Sequence, residues 1–305
     1  LLITAIDKNY YKFLDQIPSG TVIVIHDPTE VKGKSCQKVI DNLHRFRVVT
    51  IRESVKQYLL DTFGIKSDFL LHPFYEYKKK PVSVKNKAVS VSRIDFDKHT
   101  EIILAANVQL KCNPIEVYGK ANNMFTGNSS PAGSALHNIN FKGKNLLVQF
   151  KENYRGAFDK TFEAIDSILS DAKYMVDMSA IFKDGGGSQY TFLEAIYEDC
   201  VLVLSNKWVS VKGSDYKHGV NCIVIGERCD MATHEKENES KQSGNLDRAQ
   251  IRELKNKIKA EELECYADDL SHVITNESHD LDNLLTNARL LLLPHISVDW
   301  TQLFR

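Results

Sequence analysis

The sequence predicts an α/β protein with parallel, doubly wound sheets, and three observations lead there. Short strand-like runs alternate with amphipathic segments of helical period along the 305 residues, the pattern of strand–helix–strand units. Many of the runs are apolar throughout, as in Val201-Leu202-Val203-Leu204. That suits strands covered by helices on both faces. By length alone, two domains or one large α/β domain are expected.

The expected strands, in order, are Thr21–Ile25, Arg47–Ile51, Asp68–Leu71, Ala88–Ser92, Ile115–Tyr118, Ile139–Phe141, Tyr174–Asp177, Val201–Leu204 and Cys222–Ile225. The opening residues Leu1–Ile6 read as a further strand. Helical patterns fall at Ser54–Phe63, His99–Ala106, Arg155–Leu169, Thr191–Glu198 and Gln250–Cys265. The stretch Tyr77–Asn86 is basic, contains Pro81 and lacks an apolar face, so it reads as an interdomain linker. Residues 1–77 hold too few strands for a complete domain, and the chain opens on Leu1 inside a strand pattern. An N-terminal domain lacking its first strands is therefore expected, followed by a complete domain over residues 87–292. The polar stretch Glu227–Leu246 is expected to be a surface loop.

Composition narrows the class. Hydrophobic residues make up 43% and charged residues 26%, which is ordinary for a globular cytoplasmic protein. No apolar run reaches the length of a membrane span, and Leu1–Ile6 lacks the basic flank of a signal peptide. The net charge of −1 excludes a general polycation but leaves room for a local basic patch. The six cysteines, Cys36, Cys112, Cys200, Cys222, Cys229 and Cys265, form no Cys-x-x-Cys pair. They read as thiols in a reducing compartment, without a zinc signature.

Three stretches carry chemistry. After the strand ending at Ser92 come Arg93 and, five positions later, Lys98 at a helix start. A forked guanidinium and a point charge beside helix amides suit a diphosphate. The plainer alternative is a turn flanked by solvated cations. The run Asp184-Gly185-Gly186-Gly187-Ser188-Gln189-Tyr190-Thr191 lets a backbone approach a ligand closely and then offers free N–H groups at a helix start. Glu194 lies within about the first turn, where a carboxylate can accept hydrogen bonds from ribose hydroxyls. The alternative is a flexible loop and a capped helix. No Lys-Ser/Thr pair follows the glycines, which excludes a P-loop, and no Gly-x-Gly-x-x-Gly follows a strand. Finally, His26-Asp27-Pro28 ends a strand. Open α/β sheets place ligands at such carboxyl ends, although a local cap and turn would account for the same residues.

Together these stretches resemble the GT-B nucleotide-sugar glycosyltransferases, especially the large retaining family. Ser92-Arg93 and Lys98 match the segment that holds the donor diphosphate there. Leu193-Glu194-Ala195 matches the end of the later motif, whose glutamate binds ribose. His218-Gly219-Val220-Asn221-Cys222 resembles the turn that follows one strand later. Arg52-Glu53-Ser54-Val55-Lys56 with Tyr58-Leu59 resembles the last helix of the N-terminal domain, and Ile296-Ser297-Val298-Asp299-Trp300 resembles the closing helix, here 296–305, that crosses back to it. The family's first glutamate is replaced by Gly186, so the donor-sugar contact would come from Asp184 or backbone amides. A narrower resemblance, through Gln189-Tyr190-Thr191-Phe192-Leu193-Glu194 and His26-Asp27, is to bacteriophage and viral DNA α-glucosyltransferases that act on hydroxymethylpyrimidines.

The resemblance implies two Rossmann-like domains facing a cleft, the N-terminal one incomplete. It implies transfer of a sugar, glucose foremost, from a UDP-sugar to an acceptor hydroxyl without a metal. Ser92, Arg93, Lys98, Gly187, Ser188, Gln189, Tyr190, Thr191 and Glu194 would bind the donor. His26, Asp27, Arg93 and Lys98 would serve catalysis. The acceptor would be a 5-hydroxymethylpyrimidine in viral DNA inside a host cell, or a glycan or glycoprotein. Lys78, Lys79, Lys80, Lys85 and Lys87 would supply a basic rim for DNA phosphates. A module that binds the nucleotide-sugar without catalysis is the reading from another class.

Overall fold

The structure, a computed structural model, describes residues 1–4, 12–26, 30–31, 36–81, 84–127, 134–179, 189–210, 214–233, 248–276 and 279–304. Its first sheet is parallel and runs in chain order: β1 (Leu2–Ile3), β2 (Val22–Ile25), β3 (Arg47–Thr50) and β4 (Asp68–Phe69). Side chains alternate across it, as the period of a strand requires. Ile23, Ile25 and Val48 pack with Val39 of α1 (Gln37–Asn42) and with Val55 and Leu59 of α2 (Glu53–Phe63). Val22 and Val49 face the other way and are covered by Leu303. Helix α2 stops at Gly64, whose φ of 68° is the left-handed conformation of a helix C-cap.

The second sheet comprises β5 (Lys87–Val91), β6 (Glu116–Tyr118), β9 (Tyr154–Gly156), β10 (Ala172–Asp177), β11 (Val201–Ser205) and β12 (Ile223–Ile225), all parallel. Its order is β12-β11-β10-β5-β6-β9, and a separate hairpin joins β7 (Asn140–Phe141) to β8 (Lys144–Asn145). The chain leaves β5 in one direction and returns to β10 on its other side. That reversal opens a crevice at the carboxyl ends of β5 and β10, where open α/β sheets bind ligands.

Helices cover both faces of this sheet. Val117, Tyr174, Val176 and Val203 pack on the side of α3 (Thr100–Gln109), α5 (Leu146–Asn153) and α10 (Arg248–Thr275). Val89, Val91, Met175, Leu202 and Leu204 face α6 (Phe162–Leu169), α7 (Tyr190–Tyr197) and α11 (Leu281–Ser297). Two-sided burial of strands accounts for their lack of polar alternation. Among the described residues no helix is long and apolar enough to cross a membrane.

Several expectations need correction. Arg155–Leu169 is not one helix. Tyr154–Gly156 is an edge strand closed by Gly156 at φ 105°. Helix α6 begins only after Thr161, whose hydroxyl oxygen caps the Ala164 N–H at 3.2 Å. The loop expected at Glu227–Leu246 starts as helix α9 (227–233), and its residues 234–247 lie outside the described ones. The closing segment 296–305 is the end of α11, an extended break and a 3-10 turn at Trp300–Phe304. Cys229 and Cys265 form a disulfide between α9 and α10, so the reading of all six as thiols fails and a reducing compartment loses that support. Cys36, Cys200 and Cys222 are buried thiols and Cys112 is exposed.

Candidate active site

The loop after β5 is shaped by close backbone packing. The Ser92 N–H donates to Tyr118 O at 3.1 Å, and Gly119 lies so near that a Cβ on it would stand 1.8 Å from Ser92 O. With φ at 140°, that position excludes side chains twice over. Asp95 then accepts from Phe96 N–H and from the Asn122 amide, each at 2.9 Å, which fixes the 3-10 turn Phe96–Lys98. His99 follows at φ 47°, an unusual conformation for a non-glycine residue.

This turn sends the two expected cations in different directions. Lys98 crosses from β5 to the end of β10, where its ammonium donates to Ser179 Oγ at 3.0 Å. Ser179 is itself tied by its N–H to Asp177 Oδ1 at 2.8 Å. Arg93 is exposed and forks onto Asp97 at 3.1 and 3.3 Å, with Asp95 at 3.6 Å. Such exposed pairs are weak, so the guanidinium can exchange a carboxylate for a phosphate. The Ser92 hydroxyl donates to Arg93 O at 3.3 Å.

Beyond Ser179 the chain reaches α7. Gly187 and Ser188 lie outside the described residues. Gln189 is the extended residue ahead of the helix and gives no side-chain cap. Among the described residues its amide Nε2 is buried without a partner. Among those residues no side chain caps the first-turn N–H groups at Tyr190 and Thr191, the arrangement that attracts anions. Glu194 sits one turn in. Among the described residues its side chain has no hydrogen bond or ion pair, and burial pushes its carboxyl up to about 7.

The first sheet meets this helix at its own carboxyl edge. His26 follows β2, with its backbone N–H on the Glu30 carboxylate at 3.2 Å and its Nε2 on Thr4 O. Asp27 lies outside the described residues. His72 follows β4, and its ring lies 6.5 Å from that of His26, edge-on, and 4.9 Å from that of Tyr190. Phe74 packs on Tyr190 and Tyr197. Helix α11 fastens the crossing: Phe74 N–H donates to His295 O at 3.0 Å, and His295 Nδ1 lies 2.7 Å from His72 O. Trp300 Nε1 donates to Leu71 O at 2.8 Å. Neither His72 nor Gly119 belongs to a sequence pattern singled out above. The only signal for His72 is its place between a strand end and Pro73, where the chain must turn.

Much of the expected basic rim is tied up by the fold. Lys85 is ringed by the carbonyls of Leu169, Ser170, Ala172 and Glu198, at 2.6 to 3.3 Å. Lys79 bonds Tyr197 O at 2.7 Å and Asp199 at 3.1 Å. Lys80 pairs with Asp166, and Lys87 with Asp171. These cations stitch the linker to the second sheet, and only Lys78 of the five lacks such a partner among the described residues.

Two parallel sheets whose carboxyl edges meet across one gap define a GT-B fold. Solved structures agree. HepE of Anabaena, in complex with UDP, is 14% identical, with a TM-score of 0.51 over 95% of this chain and 78% of that one. Its complex with UDP-glucose gives the same figures. TarM, a protein of S. aureus, is 16% identical over 91% of this chain, with a TM-score of 0.47, and this chain spans 50% of its length. No protein-family model and no curated protein matches the sequence.

Proposed function

We propose that the chain transfers a sugar from a UDP-sugar, UDP-glucose foremost, to an acceptor hydroxyl with retention of configuration. Residues 1–77 with 296–305 form the acceptor side and residues 87–292 the donor side. The observation that carries the reading is the pairing of Lys98, aimed across the crevice at Ser179, with a Glu194 carboxyl that has no partner among the described residues. A cation at the strand ends and a carboxyl one helical turn away suit the two halves of a nucleoside diphosphate: phosphates and ribose hydroxyls. The likeness in fold to HepE, solved with UDP-glucose, supports the choice of donor.

In this reading Arg93, Lys98 and the amides that open α7 hold the diphosphate. As the bond between the sugar C1 and the phosphate oxygen breaks, negative charge gathers on the phosphate, and the two cations stabilise it. The acceptor oxygen bonds to C1 on the same face, and its proton passes to the departing phosphate. His26 and Asp27 position the reacting groups. A glycan or glycoprotein hydroxyl is favoured over DNA, because Lys79 and Lys85, two of the five lysines that would have gripped phosphates, are held by main-chain carbonyls.

The test is turnover of UDP-glucose by the wild type, without acceptor and with glycan acceptors. Arg93→Ala and Glu194→Ala should cut it severely without unfolding the chain. A saturating nucleotide-sugar should also raise the stability of the wild type, by about 2.7 kcal/mol at a hundred times its dissociation constant. Unchanged turnover in both variants contradicts the assignment. Binding of UDP-glucose with no turnover would instead make the chain a non-catalytic binding module.

A further inference from the structure

His72 sits at the carboxyl edge of the first sheet, against Tyr190 of α7, and nothing above gives it a task. Its Nδ1 lies 3.0 Å from Pro73 O. A carbonyl only accepts, so Nδ1 carries the proton and Nε2 is left with a bare lone pair. Among the described residues no group occupies that lone pair. The ring is clamped on the donor side by Tyr190, 4.9 Å away, which itself lies against Phe74 at 5.6 Å. Its own carbonyl is held by His295 at 2.7 Å. A histidine held at its carbonyl and its ring, with one open acceptor at the seam between the sheets, is arranged to receive a hydroxyl.

Resting on the glycosyl-transfer reading, we propose that His72 is a further catalytic residue, whose Nε2 accepts a hydrogen bond from the attacking acceptor hydroxyl and turns its oxygen lone pair toward the sugar C1. As the new bond to C1 forms, that one proton passes to Nε2, and Nε2 then yields it to the oxygen of the departed phosphate, so His72 ends the cycle as it began. Tyr190 acts as its backstop from the head of α7, so movement of that helix is felt at the acceptor. This arrangement requires a neutral ring. Burial lowers the basicity of His72, and the titratable groups that face it are His26 and His295. Both would repel a proton on it when themselves protonated. His26 is set differently: its Nε2 is turned onto Thr4 O.

The experiment measures UDP-glucose hydrolysis, with water as the acceptor, together with UDP binding by calorimetry. His72→Phe should lower kcat by about 100-fold while UDP affinity stays within about threefold, because the donor groups are untouched. His72→Gln puts an amide oxygen near the place of Nε2 and should recover kcat to within about tenfold of wild type, with the acid side of its pH profile shifted. Two results overturn the proposal: kcat within twofold of wild type in His72→Phe, or an equal fall in both variants with UDP binding intact, which a merely structural ring would give. A wild type that neither binds UDP nor releases glucose sinks the glycosyl-transfer reading itself, and the assignment of His72 falls with it. Should His72→Phe fail to fold, the glutamine variant alone decides: the shifted acid limb supports the role, and an unshifted one overturns it.

Discussion

Two groups of cations lie close together in the sequence and fare in opposite ways. Lys79, Lys80, Lys85 and Lys87 look like a patch for an external polyanion, yet each has a partner within the fold. The clearest case is Lys85, whose ammonium sits among four main-chain carbonyls. Arg93 and Lys98 look like the trimmings of a turn, yet they stand at the carboxyl edge of the second sheet. The first group precedes or opens β5, and Lys79 and Lys85 in it meet helix ends, which are rich in unpaired carbonyls. The second follows β5, where Lys98 reaches Ser179 beyond β10 and Arg93 stays exposed on Asp97. Position relative to a strand end, not density of charge, separates the cations tied to main-chain carbonyls from those that the proposed donor site would use.

That contrast can be broken by substitution. Lys98→Ala should lower turnover of UDP-glucose by about 10²–10³-fold, as loss of a preorganised charge at a leaving group does, while the unfolding midpoint barely moves. Lys85→Met should do the reverse. Removing a donor from four carbonyls costs about 2–3 kcal/mol, read as a lower midpoint in chemical denaturation, with turnover unchanged at a temperature where the variant is folded. If Lys85→Met abolished turnover in a fully folded protein, the two groups would not be separable in this way.

A smaller effect sharpens the account of Glu194. Burial raises its carboxyl from 4.5 to about 7. The folded chain therefore keeps a proton that the unfolded chain has released in that window. Stability falls as pH rises from about 4.5 to 7, and the penalty is complete above the folded value. Glu194→Gln removes the penalty. The variant should be more stable than wild type at pH 8, by about 1–2 kcal/mol once partial water access is allowed for, and the two should converge near pH 4. Denaturant midpoints at the two pH values measure this.

The fold was largely legible because its strands are covered on both faces. Runs such as Val201–Leu204 leave little doubt about parallel pairing, and Arg93, Lys98 and Glu194 stand at strand and helix ends that periodicity can find. What escaped depends on contacts across long separations. Gly119 is required because Ser92 O lies 1.8 Å from where its Cβ would stand and because its φ is 140°. His72 gains its setting from His295 and Tyr190, far along the chain. Strand β9 hid inside a helical pattern because Tyr154-Arg155-Gly156 is too short for its period to be read, and the disulfide joins cysteines 36 positions apart. The lysine run misled because carbonyl partners leave no trace in a sequence.

The most direct test is the proton count of UDP binding, measured by calorimetry at pH 7 in buffers of different ionisation enthalpy. If ribose hydroxyls donate to Glu194, they favour its charged form, so wild type should release a fraction of a proton per UDP bound, bind more tightly at pH 8 than at pH 6, and lose that proton release in Glu194→Gln. UDP binding with identical proton release in the wild type and the variant, or no UDP binding at all, would contradict the account.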